Sequence, residues 1–351
     1  MIEEVNPKIL FVSRGKGWGH SIRDIEITKQ IQTINPLIEV IHVSWADGLK
    51  AYLKNEYSCI DIGVCYTENE KQNKLLEIIH QVQPSHIISD EDADTIIVSH
   101  QIGIPCCYIT NFFTDSHKEF EYLSYCDFTI FAEYDDLAYA MSPEILGRNN
   151  IFCVGPISRM YHAGSPFFSE KESLQDNVLI TLGASRERNA RLENIQLIWQ
   201  ISKVYIEDVH FWILGDYKSF FRNKPFASNV TWLSEVKDIR EWLPLMDAVI
   251  SRGGINTLWE MASAGLMSIA IPYSANVNHM ESYYAKMMEK RGLAKVMMQS
   301  KLSANELTLM IKGCIAPETK TAVRTIFSSK YNQNGIAKAA ELILSWMEKE
   351  C

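Results

Sequence analysis

The stretch Asp247-Ala-Val-Ile-Ser-Arg-Gly-Gly-Ile-Asn-Thr-Leu-Trp-Glu260 decides the architecture. Ala248-Val249-Ile250-Ser251 is short, apolar and rich in β-branched residues, which predicts a buried strand. Gly253 and Gly254 interrupt it, and the residues that follow carry apolar side chains at helical spacing. Strand, glycine turn and helix in direct succession form the unit from which parallel α/β sheets are built. The same unit creates an anion site, because the first N–H groups of the helix and its positive end, roughly half a charge, face the turn. Gly253 and Gly254 let a ligand approach the backbone closely, Asn256 and Thr257 are expected to cap the helix, and Arg252 is expected to add a full positive charge. Glu260, about one turn into the helix, can accept hydrogen bonds from two ribose hydroxyls. A diphosphate would be held there without a metal.

The same rhythm extends outward through the whole chain. In the first half, Lys8-Ile-Leu-Phe-Val-Ser13, Glu39–Val43, Cys59–Gly63, Ser85–Ser89, Pro105–Ile109, Phe128–Phe131 and Ile151–Val154 are short apolar runs separated by amphipathic stretches. In the second half, Asn177–Thr181, His210–Leu214, Val230–Leu233, Ala248–Ser251 and Ser268–Pro272 do the same. Runs that are apolar on both sides are expected of parallel strands covered by helices on two faces. At 351 residues the chain is too long for one ordinary core, and its 47% hydrophobic content suffices for two. The texture changes around Gly155-Pro156. The expected organisation is therefore a doubly wound α/β domain over residues 1–158, a linker over 159–176, a second α/β domain over 177–334, and a closing helix over 335–351. Two such domains facing each other imply a central cleft, since ligands of open α/β sheets bind beyond the carboxyl ends of the strands.

Composition narrows the function classes. A net charge of −9 argues against broad attachment to nucleic acid or an anionic membrane, both of which need clustered Lys and Arg. No apolar run reaches the roughly 20 residues of a membrane helix, and the N-terminus has acids where a signal peptide has bases, so a cytoplasmic location is expected. The eight cysteines include no C-x-x-C pair and suggest neither a zinc site nor a disulfide framework.

A second motif follows the first strand: Ser13-Arg-Gly-Lys-Gly-Trp-Gly-His20-Ser-Ile-Arg23-Asp24. Its glycine spacing does not fit the G-x-G-x-x-G dinucleotide fingerprint. His20 is a candidate general base, because imidazole titrates near neutrality. Asp24, one helical turn on, and Asp90, at the end of the Ile87-Ile88-Ser89 strand, are alternative partners for its ring. Asp90-Glu-Asp-Ala-Asp94 contains two D-x-D triplets of the kind that bind a metal–diphosphate in another architecture. With the anion site on a helix terminus, these acids read instead as charges at a helix start, with one catalytic member.

From Asp247 through Ala270-Ile271-Pro272-Tyr273 to Arg291-Gly292-Leu293-Ala294, the chain resembles the donor-binding half of the GT-B glycosyltransferases, and its Ser-Arg-Gly form resembles the lipid I N-acetylglucosaminyltransferases among them. Gly155-Pro156, Thr181-Leu-Gly-Ala-Ser185, Val230-Thr-Trp-Leu233 and the G-x-G-H-x-x-R form of the first loop extend the resemblance over most of the chain. It implies two Rossmann-like domains and an inverting, metal-independent transfer from a UDP- or dTDP-sugar to a hydroxyl or amine, with no cofactor. The acceptor would be a small molecule or a glycan, such as a natural product or a cell-envelope polymer. It also implies that Gly183, Ser185, Trp232, Leu233, Arg252, Gly253, Gly254, Asn256, Thr257, Glu260 and Glu281 bind the donor. Gly17, Trp18, Gly19, Asn111 and Asp115 are the expected acceptor-site residues, and the aromatic side chains of Trp18, Tyr161, Phe167 and Phe168 are candidates for its apolar floor. One departure is visible. Where relatives carry an acidic-Gln or Gln-Gln pair that contacts sugar hydroxyls, this chain has Met280-Glu281, and Met280 cannot hydrogen-bond usefully there. Two alternatives share the motifs: a nucleotide-sugar hydrolase in which His20 activates water, and an inactive partner subunit of a glycosyltransferase.

Overall fold

The computed structural model describes residues 7–111, 119–134, 150–160, 175–183, 188–204, 206–222, 229–236, 238–274, 280–333 and 335–349. The chain divides into two compact units, Met1–Ser158 with Gln333–Cys351, and Arg159–Asn332.

In the first unit the described elements follow one another as β1 (Lys8–Ser13), α1 (Gly19–Ile34), β2 (Glu39–Ser44), α2 (Ala46–Lys54), β3 (Ile60–Asp61), α3 (Glu68–Val82), β4 (His86–Asp90), α4 (Ala93–Ile102), β5 (Cys106–Thr110), β6 (Phe128–Phe131) and β7 (Ile151–Cys153). The strands form one parallel sheet in the order β3-β2-β1-β4-β5-β6-β7. Strand order therefore reverses between β1 and β4, whose last residues, Ser13 and Asp90, lie in register. That reversal is where an open α/β sheet leaves a crevice at its carboxyl edge. The closing helix, Gly335–Lys349, belongs to this unit. Its Ala339, Ala340 and Ile343 are buried with Ile27 and Ile31 of α1 and with Ile9 and Phe11 of β1. Trp346 meets His86 and Phe128 edge-on, at 4.5 and 5.2 Å between ring centroids. Gly335 permits the helix to start against the chain, because a Cβ there would stand 2.4 Å from the Gly155 carbonyl oxygen.

The second unit repeats the plan with β8 (Asp176–Thr181), α5 (Arg188–Ile201), β9 (Val209–Leu214), β10 (Val230–Leu233), β11 (Ala248–Ser251), α6 (Ile255–Ser263), β12 (Ser268–Ala270), α7 (Met280–Lys290), β13 (Ala294–Val296), α8 (Ala304–Ile315) and α9 (Pro317–Lys330). The parallel order is β10-β9-β8-β11-β12-β13, reversing between β8 and β11. Thr181 and Ser251, the last residues of those strands, are again in register. Leu179, Val249, Met261 and Leu266 pack between sheet and helices. The strand β13 carries no sequence signal of its own: Ala-Lys-Val is too short to show a period.

Candidate functional site

Each reversal point carries a cluster of polar residues. In the first unit, Gly17 takes φ +77° and Trp18 precedes α1, with the Lys54 ammonium 5.0 Å from its ring centroid. Gly19 opens the helix and His20 follows. The spacing H-x-x-R places His20 and Arg23 on one face of α1, over the end of β4. His20 Nδ1 lies 2.7 Å from Asp90 Oδ1. Arg23 donates from Nε to Asp90 Oδ2 at 2.7 Å and from Nη2 to Oδ1. Asp90 is wholly buried and Arg23 nearly so. Burial opposes ionisation of Asp90, but Arg23 and His20 outweigh it and hold the carboxyl well below the usual range. A carboxylate only accepts, so the ring donates to it from Nδ1, and in the neutral form of that ring the lone pair is at Nε2.

Of the two carboxylates left open by the sequence, Asp90 is thus the one on His20. Asp24 points elsewhere, accepting from the Tyr52 hydroxyl at 3.1 Å. Burial, and then the charge of Asp90, push the Asp24 pKa well above its usual value. The other acids of the D-x-D run are committed to the fold. Asp92 caps α4, accepting from the Thr95 N–H at 3.0 Å, and pairs with Lys71, which also lies 3.0 Å from Asp94. Among the described residues, no three His, Cys, Asp or Glu side chains are grouped to hold a metal ion. Asn111 follows β5, and its N–H donates to Glu91 at 3.5 Å. Ser185, Asp115, Tyr161, Phe167 and Phe168 lie outside the described residues.

In the second unit, Gly183 and Gly253 stand just past the ends of the adjacent strands β8 and β11, with φ +75° and +84°. The cap of α6 is Gly254, which makes no side-chain hydrogen bond, and a Cβ built on it would meet nothing within 4 Å. Asn256 and Thr257 lie inside the first turn and do not occupy the cap, a correction to the sequence reading. The first N–H groups of a helix have no intrahelical partner, and no side chain of the cap residue takes one here.

Arg252 also departs from expectation. Its guanidinium turns into the interior, donating from Nε to Asn194 at 2.8 Å and from Nη1 to the Ile271 carbonyl at 3.1 Å and Gln299 at 2.8 Å, with its plane over the Tyr273 ring. It ties α5 and the segment after β12 to the turn. Glu260 is buried on α6 and accepts from Arg159 Nε at 3.2 Å. Burial raises its pKa, with Arg159 opposing. Trp232 and Leu233 sit half-buried on the edge strand β10, where Trp232 stacks on Phe221. Glu281, in the first turn of α7, is brought beside the turn: its carbonyl oxygen is 3.1 Å from where a Gly253 Cβ would stand. Gly253→Ala therefore adds a contact against backbone to a left-handed φ. It is expected to lower the unit's stability by about 1–2 kcal/mol, measured as a shift in urea midpoint with unchanged slope.

Residues 173–343 match the model of the glycosyltransferase family 28 C-terminal domain. The whole chain has the GT-B fold. The fold is seen in the structural neighbours: MurG of Acinetobacter baumannii superposes with a TM-score of 0.69 at 13% identity, over 97% of this chain and 99% of that one. CalG4, the calicheamicin glycosyltransferase, gives 0.72 at 13% identity, over 99% and 100%. Among curated sequences, the UDP-N-acetylglucosamine--N-acetylmuramyl-(pentapeptide) pyrophosphoryl-undecaprenol N-acetylglucosamine transferase of Caldicellulosiruptor saccharolyticus is 29% identical over 150 residues, 40% of each chain. The matched region thus spans about two fifths of that relative's length. No helix among the described residues of this GT-B chain is long and apolar enough to cross a membrane.

Three residues of the two clusters escaped the sequence reading as site members. Arg23 was visible only as the last letter of a motif. Glu91 follows Asp90 but is aimed by the backbone, and Arg159 meets Glu260 across 101 residues of chain. Neither of the latter leaves a local pattern to read.

Proposed function

We propose that the protein is an inverting, metal-independent glycosyltransferase that moves a sugar from a UDP- or dTDP-sugar to a hydroxyl or amine acceptor. The observation that carries this reading is the glycine-capped start of α6, opening beyond the reversal point of a family 28 domain. In the proposed reaction, His20 Nε2 removes the acceptor proton as the acceptor attacks the anomeric carbon from the face opposite the leaving group. The bond from that carbon to the phosphate oxygen breaks, and the nucleoside diphosphate departs with the bonding pair. Charge growing on the diphosphate is met by the N–H groups of α6 and by the field of Arg252. The cation on His20 is met by Asp90.

Glu260 is assigned to the ribose, with Arg159 fixing its carboxylate. UDP-N-acetylglucosamine is the first donor to test, since it is named for the curated relative. A thermal-shift panel of UDP-, dTDP- and GDP-sugars tests the donor site, because a ligand that binds the native state raises its stability. Glu260→Gln is expected to weaken the preferred nucleotide about tenfold, the scale of one hydrogen bond to a charged group. A panel in which no nucleotide-sugar shifts the melting temperature sinks the reading. Incubation with the donor alone measures hydrolysis, and release of free sugar as fast as transfer would favour the hydrolase alternative.

A further inference from the structure

Glu91 stands beside the proposed base in a backbone conformation that L side chains rarely adopt, with φ +51°. That turn, directly after β4, sends the side chain back toward α1. One carboxylate oxygen, Oε1, is held by the fold: it accepts from Thr110 Oγ1 at 3.2 Å and from the Asn111 N–H at 3.5 Å. The other, Oε2, lies 3.4 Å from Arg14 Nη1 and 3.8 Å from His20 Nε2. Burial opposes its charge, but His20 and Arg23 outweigh burial and keep the carboxyl below its ordinary range. Strained backbone at such a position is commonly retained for function.

The 3.8 Å separation is informative. It is too long for a hydrogen bond, so neither atom is taken up by the other and both face a third group. It nevertheless sets two acceptors, an imidazole nitrogen and a carboxylate oxygen, side by side. A hydroxyl has one proton and serves one of them. Two hydroxyls on adjacent carbons serve both, each reaching its own acceptor at about 2.7–2.8 Å. Resting on the assignment of His20 as the base, we infer that Glu91 is a specificity-determining residue that accepts a hydrogen bond from the hydroxyl next to the nucleophile, and that the acceptor is therefore a vicinal diol of a saccharide. Phenols and isolated alcohols offer no second donor at that place.

The test uses the full chain with UDP-N-acetylglucosamine, or whichever nucleotide-sugar gives the largest thermal shift. Acceptor probes are a set of methyl glycosides, their singly deoxygenated counterparts, a phenol and a primary amine. The expected result is transfer to methyl glycosides, with kcat/KM falling about 10–100-fold when the hydroxyl beside the reacting one is removed, the scale of one charge-assisted hydrogen bond. Glu91→Gln should lower kcat/KM for the diol by a similar factor and leave the deoxy acceptor nearly unchanged. A merely structural role for Glu91 would slow both acceptors alike and overturns the inference. So does a wild-type protein that prefers the phenol or the amine, or that glycosylates no saccharide of the set. His20→Ala separates this from failure of the underlying reading: transfer that survives in that variant removes the base assignment, whatever Glu91 does.

Discussion

Replacing His20 with alanine should lower turnover by about 10²–10⁴-fold, the usual contribution of a positioned general base, while the thermal shift caused by the nucleotide-sugar stays as in the wild type. The expectation rests on separable geometry. His20 belongs to α1 of the first unit, and its ring touches Asp90 and lies near Glu91, residues of the same unit. The proposed diphosphate site lies at α6 of the other unit. A side chain that acts on the acceptor proton alters the chemical step and leaves donor affinity alone. With Nδ1 turned to Asp90, Nε2 is the ring nitrogen left to take a proton from the acceptor, and Glu91, whose carboxyl is held below its ordinary range, is a far weaker base than the imidazole it would have to replace. Initial rates under saturating donor, read beside melting curves with and without nucleotide, give both halves of the result. Wild-type turnover in the variant would remove His20 from the mechanism.

Asp90→Ala should act on the fold as well as on the reaction. Asp90 accepts from His20 and twice from Arg23, and neither Asp90 nor Arg23 is open to water. Removing the carboxylate takes both close hydrogen bonds from the buried Arg23 guanidinium and leaves it Glu91 at 3.9 Å, and breaking a buried pair costs about 3–5 kcal/mol. It also frees the His20 ring to adopt the other tautomer. Denaturant unfolding followed in the first unit should report the loss. Its pH dependence has a fixed sign. The folded pKa of Asp90 is depressed, so its stabilisation is present above the unfolded value of about 3.9 and fades as pH falls from there toward the folded value. The gap between wild type and variant is therefore widest near neutrality and closes in acid. Asp24 runs the other way: its folded pKa is raised, so its contribution is full below about 3.9 and is lost as pH rises through the folded value. A gap that widens in acid would contradict the assignment of charge to Asp90.

The alternation of short apolar runs with amphipathic stretches was enough to give two parallel α/β sheets, because strands covered on both faces have no polar side to disguise them. The strand–glycine–helix segment from Asp247 was equally legible. Its turn needs a left-handed residue at 253 and an unobstructed one at 254, and glycine supplies both. The strand β13 and the helices between it and the closing helix were not read, since three residues show no period and amphipathic helices near a terminus leave no motif.

Within the site, the sequence named His20 and narrowed its partner to Asp24 or Asp90. It could go no further, because Asp24 is offered by helical spacing and Asp90 by its place at a strand end in the resemblance, and nothing in the chain weighs one against the other. Tertiary structure decided between them: parallel pairing of β1 with β4 puts Asp90 at the level of Ser13 and under the first turn of α1, whereas Asp24 faces Tyr52. The same holds for Arg252 and for the helix cap. Sequence places an arginine beside the glycines and two polar residues after them. Packing turns the guanidinium toward Asn194, Ile271 and Gln299 and starts α6 at Ile255, so that the cap falls on Gly254, which has no side chain. Chemical type and local period are properties of the chain. Which atoms meet is set by sheet register and by the burial of groups far apart in sequence, and for Glu91 by one left-handed residue that no composition announces.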